Sequence, residues 1–143
     1  SDERAAALES RIGELTDGDA MLGRFHIAAG HARAGDAAAA EAGYLAISND
    51  TSMPQLYSDA ALLMSVMNAP EGADVGDLQR RLAPLADGAG SWKGLALELS
   101  AAPDLQQGQT DAALSKLEAI DALAETSPEL RQRAARLVDI LKS

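Results

Sequence analysis

In this chain of 143 residues, apolar side chains make up 47% and are dominated by Ala and Leu, while aromatics reach only 3%. Strand-favouring Val, Ile and Thr are scarce, so the composition is that of helices packed closely through small side chains. With 22 acidic against 12 basic residues the formal net charge is −10, which repels a phosphate backbone and excludes nucleic acid as a partner. The absence of Cys removes disulfides, thiolate metal sites and Cys nucleophiles, yet suits either a cytoplasmic or a periplasmic address.

No apolar run reaches the roughly 20 residues of a membrane helix. The opening SDERAAALES has neither Met nor a signal-like apolar stretch, so the chain reads as a soluble, trimmed fragment.

Apolar residues recur at spacings of three and four, and clusters of Gly, Pro and Asn-Asp cut the pattern into about eight helices. The first is expected from about Asp2 to Leu15. A TDGD turn follows, with Thr16 and Asp19 spaced like a capping box for a second helix through Ala34. Gly35 breaks the chain, and Asp36 is placed to cap a third helix, AAAAEAGYLAIS, which ends in NDTS. Pro54 opens a helix through about Asn68 as a first-turn proline. After the loop NAPEGA, Asp74 and Asp77 favour the start of DVGDLQRRLAPLA, which is expected to stop near Pro84. GAGS is a further break. The last three helices are expected from Trp92 to Gln107, from Asp111 to Ala124 and from Pro128 to Leu141, with Thr110 and Ser127 as caps.

Two stretches of this pattern resemble each other. LQQGQTDAALSKLEAI, residues 105–120, aligns on ARAGDAAAAEAGYLAI, residues 32–47, with Gly108 on Gly35 and an offset of 73 residues. That offset is near twice the ~34-residue period of tetratricopeptide repeats, and both stretches read as a Gly-centred joint inside a helical hairpin. Ala28, Ala40 and Tyr44 around Gly35 match Ala101, Ala113 and Leu117 around Gly108. Small residues there allow close helix approach, and the large one plugs the space between hairpins.

The expected fold is therefore all-α, a right-handed, tetratricopeptide-like stack of about three hairpins in one domain. Its parts are an N-terminal helix over 1–15, a hairpin over 16–53, a degenerate hairpin over 54–87, a third over 88–126 and a capping helix over 127–143. Arg131, Arg133 and Arg136 in that last helix oppose its dipole and keep the end soluble.

The order of these segments, with "RLAPLADGAGSWKGLALEL" the most specific, then "QGQTDAALSKLEAI" and "SPELRQRAARLVDIL", resembles the tetratricopeptide-like domain of the bacterial ancillary translocon subunit family. The similarity runs from about Leu15 to the end. It implies an upstream membrane anchor missing from this chain, a place on the periplasmic side of the inner membrane, and partners such as the export channel or periplasmic chaperones. Pro103 departs from the family's uninterrupted helix and predicts a kink near Asp104.

Catalytic and ligand motifs are weak throughout. His26 and His31 stand about 140° apart round a helix and cannot share a metal as an i, i+4 pair does. Asp17 and Asp19 hint at calcium, but Met21 and Phe25 occupy later loop positions, so capping explains them better. GAGSWKG follows a helix and lacks the phosphate-loop order, which leaves a linker. No cofactor, metal or catalytic set is expected, and the carboxylates form a solvated face.

The expected function is a non-enzymatic protein-interaction domain. A cytoplasmic scaffold without an anchor, or a helical ligand binder or enzyme using His31 and the acidic residues, are the alternatives. Solenoids bind partners on the concave side lined by first helices. The register places Phe25 and Arg33, then Glu98 and Gln106, on that side, with Tyr57 and Met64 from the middle hairpin.

Overall fold

The structure, a computed structural model, describes Glu3, Arg4 and residues 17–143. Among the described residues the fold is all-α, with seven helices and no strand. They are α1 (Asp17–Arg33), α2 (Ala37–Ser48), α3 (Gln55–Met67), α4 (Val75–Ala86), α5 (Lys93–Gln106), α6 (Thr110–Asp121) and α7 (Pro128–Lys142). The helix expected over Asp2 to Leu15, and the capping box of Thr16 and Asp19, lie outside the described residues and side chains.

The chain divides into two compact units between Gly72 and Ala73. In the first, α2 packs against both α1 and α3; in the second, α5 packs on α4 and α6, and α7 packs on α6 with a smaller contact to α5. The 54–87 span expected as one hairpin thus contains α3, which belongs to the first unit, and α4, which belongs to the second.

Three helices of each unit repeat at one offset. α6 begins and ends 73 residues after α2, α7 begins 73 after α3, and α5 ends 73 after α1. The similarity seen in the sequence therefore has the compact unit as its period. The cores match at the same offset: Ala28, Ala40, Tyr44, Ile47 and Ala61 are buried in the first unit, and Ala101, Ala113, Leu117, Ile120 and Ala134 in the second.

The joints are also the same. Gly35 and Gly108 adopt φ of 82° and 73°, a left-handed conformation that glycine reaches without the Cβ penalty. At the first, the Gly35 N–H donates to Ala32 O and the Asp36 N–H to His31 O; at the second, Gly108 donates to Leu105 O and Gln109 to Asp104 O. Both are Schellman turns, which satisfy the last helical carbonyls and reverse the chain so that the next helix returns along its predecessor. Asp36 then caps α2 by accepting from the Ala39 N–H at 3.0 Å. Gln109 holds the equivalent place in the second joint without a side-chain cap, and Thr110, expected as the cap, is the first residue of α6. Ser127 caps α7 as expected, accepting from Leu130 N at 3.2 Å.

Both interior prolines sit late in their helices. Pro84 leaves one amide unavailable, but Asp87 N still reaches Ala83 O, so α4 runs to Ala86 instead of stopping. α5 likewise continues through Pro103 to Gln106, where Gln107 N closes on Pro103 O. Proline this near a C-terminus forfeits a single bond to the preceding turn, and the helix end is held by the capping bonds beyond it.

Small side chains let the helices approach closely. A Cβ on Gly43 of α2 would lie 3.1 Å from the Ala28 Cβ on α1, and one on Gly94 of α5 would lie 3.0 Å from the Leu130 side chain on α7. Contacts this tight favour glycine, since a Cβ would require its neighbour to shift by a few tenths of an ångström.

Candidate interaction surface

In the first unit, Phe25 of α1 packs half-buried on the core cluster and meets Tyr44 of α2, with ring centroids 6.2 Å apart at 55°. Arg33, the last residue of α1 and two residues before Gly35, is exposed. The buried Tyr44 phenol is raised above its ordinary range by desolvation, and the Arg33 charge opposes that rise. Met64 of α3 packs on the same core cluster as Phe25, whereas Tyr57, two turns earlier, is 43% exposed.

Phe25 and Met64 therefore meet the same core, and both act partly as core side chains. In the second unit, Glu98 on α5 is tied to Arg133 on α7, with carboxylate and guanidinium 3.1 Å apart. Gln106 is exposed at the last position of α5.

Two further exposed apolar residues of α3 were not singled out in the sequence. Leu56 is 49% and Met67 54% exposed. Tyr57, Ala60, Met64 and Met67 are spaced three, four and three apart and share one face of α3. That spacing was the available signal, but an amphipathic pattern does not say which face a helix buries. On α3 the choice falls on small residues: Ser58, Ala61 and Ser65 are buried, together with Leu63. The Ser65 hydroxyl is satisfied by donating to Leu62 O at 2.6 Å, so the helix buries it without an orphaned group.

Each unit also has a cleft between the start of its first repeated helix and the loop after its second. In the first unit a cleft of about 330 Å³ is lined by Met21, Arg24, Asp50, Ser52 and Met53. Arg24 and Asp50 close it with an ion pair at 2.6 Å. Asp50 also accepts from the amide and hydroxyl of Ser52. Led by the Ser52 hydroxyl and then Arg24, these bonds hold the carboxyl down to about 2. The second unit's cleft, about 460 Å³, lies at the corresponding place, lined by Lys93, Gly94, Leu123, Glu125 and Thr126 with the 88–91 loop. Its ammonium is engaged, donating to Gly88 O at 2.8 Å. The polar lining thus differs between the clefts, an acid–base pair in one and a tethered lysine in the other, so they do not share a ligand chemistry.

A buried carboxylate marks the second joint. Asp104, 2% exposed, accepts from the Gln79 amide on α4 at 2.8 Å and pairs with the Lys116 ammonium on α6 at 2.7 Å. It occupies the place of His31 in the first unit, and Lys116 that of Gly43. The second unit therefore fastens three helices through Asp104, by an ion pair to α6 and a hydrogen bond from α4, whereas Gly43 of the first unit makes a close contact with Ala28. A carboxylate next to Pro103 can be held in the core because one amide donor and one ammonium converge on it.

Among the described residues there is no group of three or more His, Cys, Asp or Glu placed to hold a metal ion. No helix among them is long and apolar enough to cross a membrane. Comparison with protein-family models, curated proteins and solved structures finds no match to this chain.

Proposed function

We propose that this chain is a non-enzymatic protein-interaction module whose units are built from tetratricopeptide-like helical hairpins. The single observation that carries the reading is the exposure of Leu56, Tyr57 and Met67 on α3, whose Leu63 is buried. Exposed large apolar side chains, with an aromatic among them, are enriched in protein interfaces. Paired helices joined by the same glycine turn in both units support the repeat reading, and repeat proteins expose extended surfaces to partners.

The family resemblance of the sequence supports a periplasmic location in an intact protein anchored to the bacterial inner membrane, among export or folding factors. The test is affinity capture with the full-length protein from detergent-solubilised membranes, comparing wild type with Arg33→Glu/Tyr57→Ser. A stoichiometric protein partner, lost in the variant while helical content is unchanged, is the expected result. Absence of any stoichiometric protein, or capture equal in the variant, overturns the reading.

A further inference from the structure

We infer that the Asp104–Lys116 ion pair is a pairing code, which keeps the helices of one unit from combining with the equivalent helices of the other as the chain folds. The inference stands apart from the interaction-module reading. A chain made of two similar halves faces this hazard, because repeats with interchangeable elements misassemble and exchange them. Here the apolar core does little to forbid it. Ala28, Ala40 and Ile47 of the first unit stand at the places of Ala101, Ala113 and Ile120 in the second, all of them buried, and the joints before α2 and α6 are the same turn. Placing α2 along α5, or α6 along α1, would keep most of these small-residue contacts.

The polar pair opposes both exchanges. At the offset of 73, Asp104 and Lys116 stand where the first unit has His31 and Gly43. With α2 on α5, Gly43 takes the place of Lys116, and a carboxylate only 2% exposed keeps the Gln79 amide of α4 but no cation. With α6 on α1, the Lys116 ammonium meets His31 instead of a carboxylate. Its Cβ also falls where one on Gly43 would lie, 3.1 Å from the Ala28 Cβ. The first exchange strands a buried charge, and the second adds crowding to a lost ion pair. Native pairing escapes both, with ammonium and carboxylate 2.7 Å apart in one unit and glycine against alanine in the other.

The asymmetry is what makes the pair informative. Identical polar pairs in both units would hold each together equally well and distinguish nothing, whereas a pair confined to one unit penalises every mixed combination. A second difference between the cores weighs less. Tyr44 meets Phe25 in the first unit, where the second has Leu117 and Glu98; losing one ring contact costs less than leaving a buried charge without its partner.

The test refolds the full chain from urea and follows the Ala28 methyl group by NMR, with alanine methyls carbon-13 labelled. Native pairing gives a nuclear Overhauser contact from Ala28 to residue 43, and exchanged pairing gives one to residue 116. Asp104→His/Lys116→Gly provides both units with the same residues. Asp104→Leu/Lys116→Met removes the charges and fills their space, so it folds without a stranded ion. Two controls leave the code in place: Lys116→Arg keeps the charge, and Ile120→Val, at a fully buried position of α6, loosens the same core.

Wild type and both controls are expected to show the contact to residue 43 alone. Each double variant is expected to show a second Ala28 resonance, at least about one-tenth as intense as the first, with its contact to residue 116. A folded double variant without that second resonance overturns the inference. So does a contact to residue 116 in wild type, or in either control at the level of the variants. Circular dichroism verifies folding, and if the histidine–glycine variant does not fold, the leucine–methionine variant decides alone.

Discussion

Replacing Gly35 and Gly108 by alanine probes the repeated joint directly. Both glycines have φ near 80° with nothing within 4 Å of a built Cβ, so the substitution meets no clash and its cost is conformational. An L-residue held in the left-handed region costs about 1–2 kcal/mol, and stiffening the unfolded chain offsets about 0.4–1 of that. Each variant should therefore lose roughly 0.5–1.5 kcal/mol, and the two losses should agree within a few tenths.

Gly30→Ala supplies the opposite sign. This glycine is inside α1 with only the Arg33 guanidinium near its Cβ position, at 3.9 Å, so alanine should stabilise by about 0.5–1 kcal/mol. Urea titration followed by circular dichroism measures all three. A neutral or stabilising Gly108→Ala beside a destabilising Gly35→Ala would refute the equivalence of the joints.

Three further outcomes follow from the packing and the charges. Ala113→Leu or Ala40→Leu, each at a fully buried position, should overpack its unit and cost about 1–3 kcal/mol by the same titration; an unchanged midpoint would displace the proposed register. Lys116→Ala strips the buried Asp104 of its counter-ion and should cost about 1–3 kcal/mol, less than for a fully buried pair because the ammonium is partly solvated; chemical denaturation near neutral pH measures it. Asp50, held at about 2 in the folded state, contributes stability that is complete above the unfolded carboxyl's pKa of roughly 4 and is lost as pH falls toward the folded value. Asp50→Asn should flatten the stability profile across that acid window, and carboxyl-resolved NMR should place the wild-type midpoint well below ordinary aspartate.

Much of this architecture was legible in the residues. Gly35 and Gly108, each followed by an alanine-containing helix, announce a left-handed turn and close packing because only glycine reaches that backbone conformation cheaply. Ala28, Ala40 and Tyr44 could be read as core, and are buried, because the offset of 73 gave each a counterpart in an equivalent place. The meaning of the offset was less accessible. Periodicity locates helices but not which helix each one packs against, so a 73-residue repeat reads equally as two short repeats or as one compact unit.

Pro84 shows a second limit: proline signals a lost bond, but the distance to the helix end decides whether the helix stops, and bonds formed after the proline set that end. Burial on α3 was the hardest to read. Its sequence QLYSDAALLMSVM offers large apolar residues on one side and Ser, Ala and Ser on the adjoining side. Leu63 of the first set is buried while Leu56 and Met67, on the same side of the helix, are exposed, so helical spacing alone does not decide which residues are covered.

Site-specific photo-crosslinking in the intact cell tests the central claim most directly. A photoreactive phenylalanine analogue at position 57 or 67, within the exposed α3 face, is compared with the same analogue at exposed Ala124 in the second unit. The account predicts a discrete protein adduct from positions 57 and 67, and none from 124. Equal adducts from all three positions, or none from the α3 face in a protein shown to be folded and expressed, would contradict it.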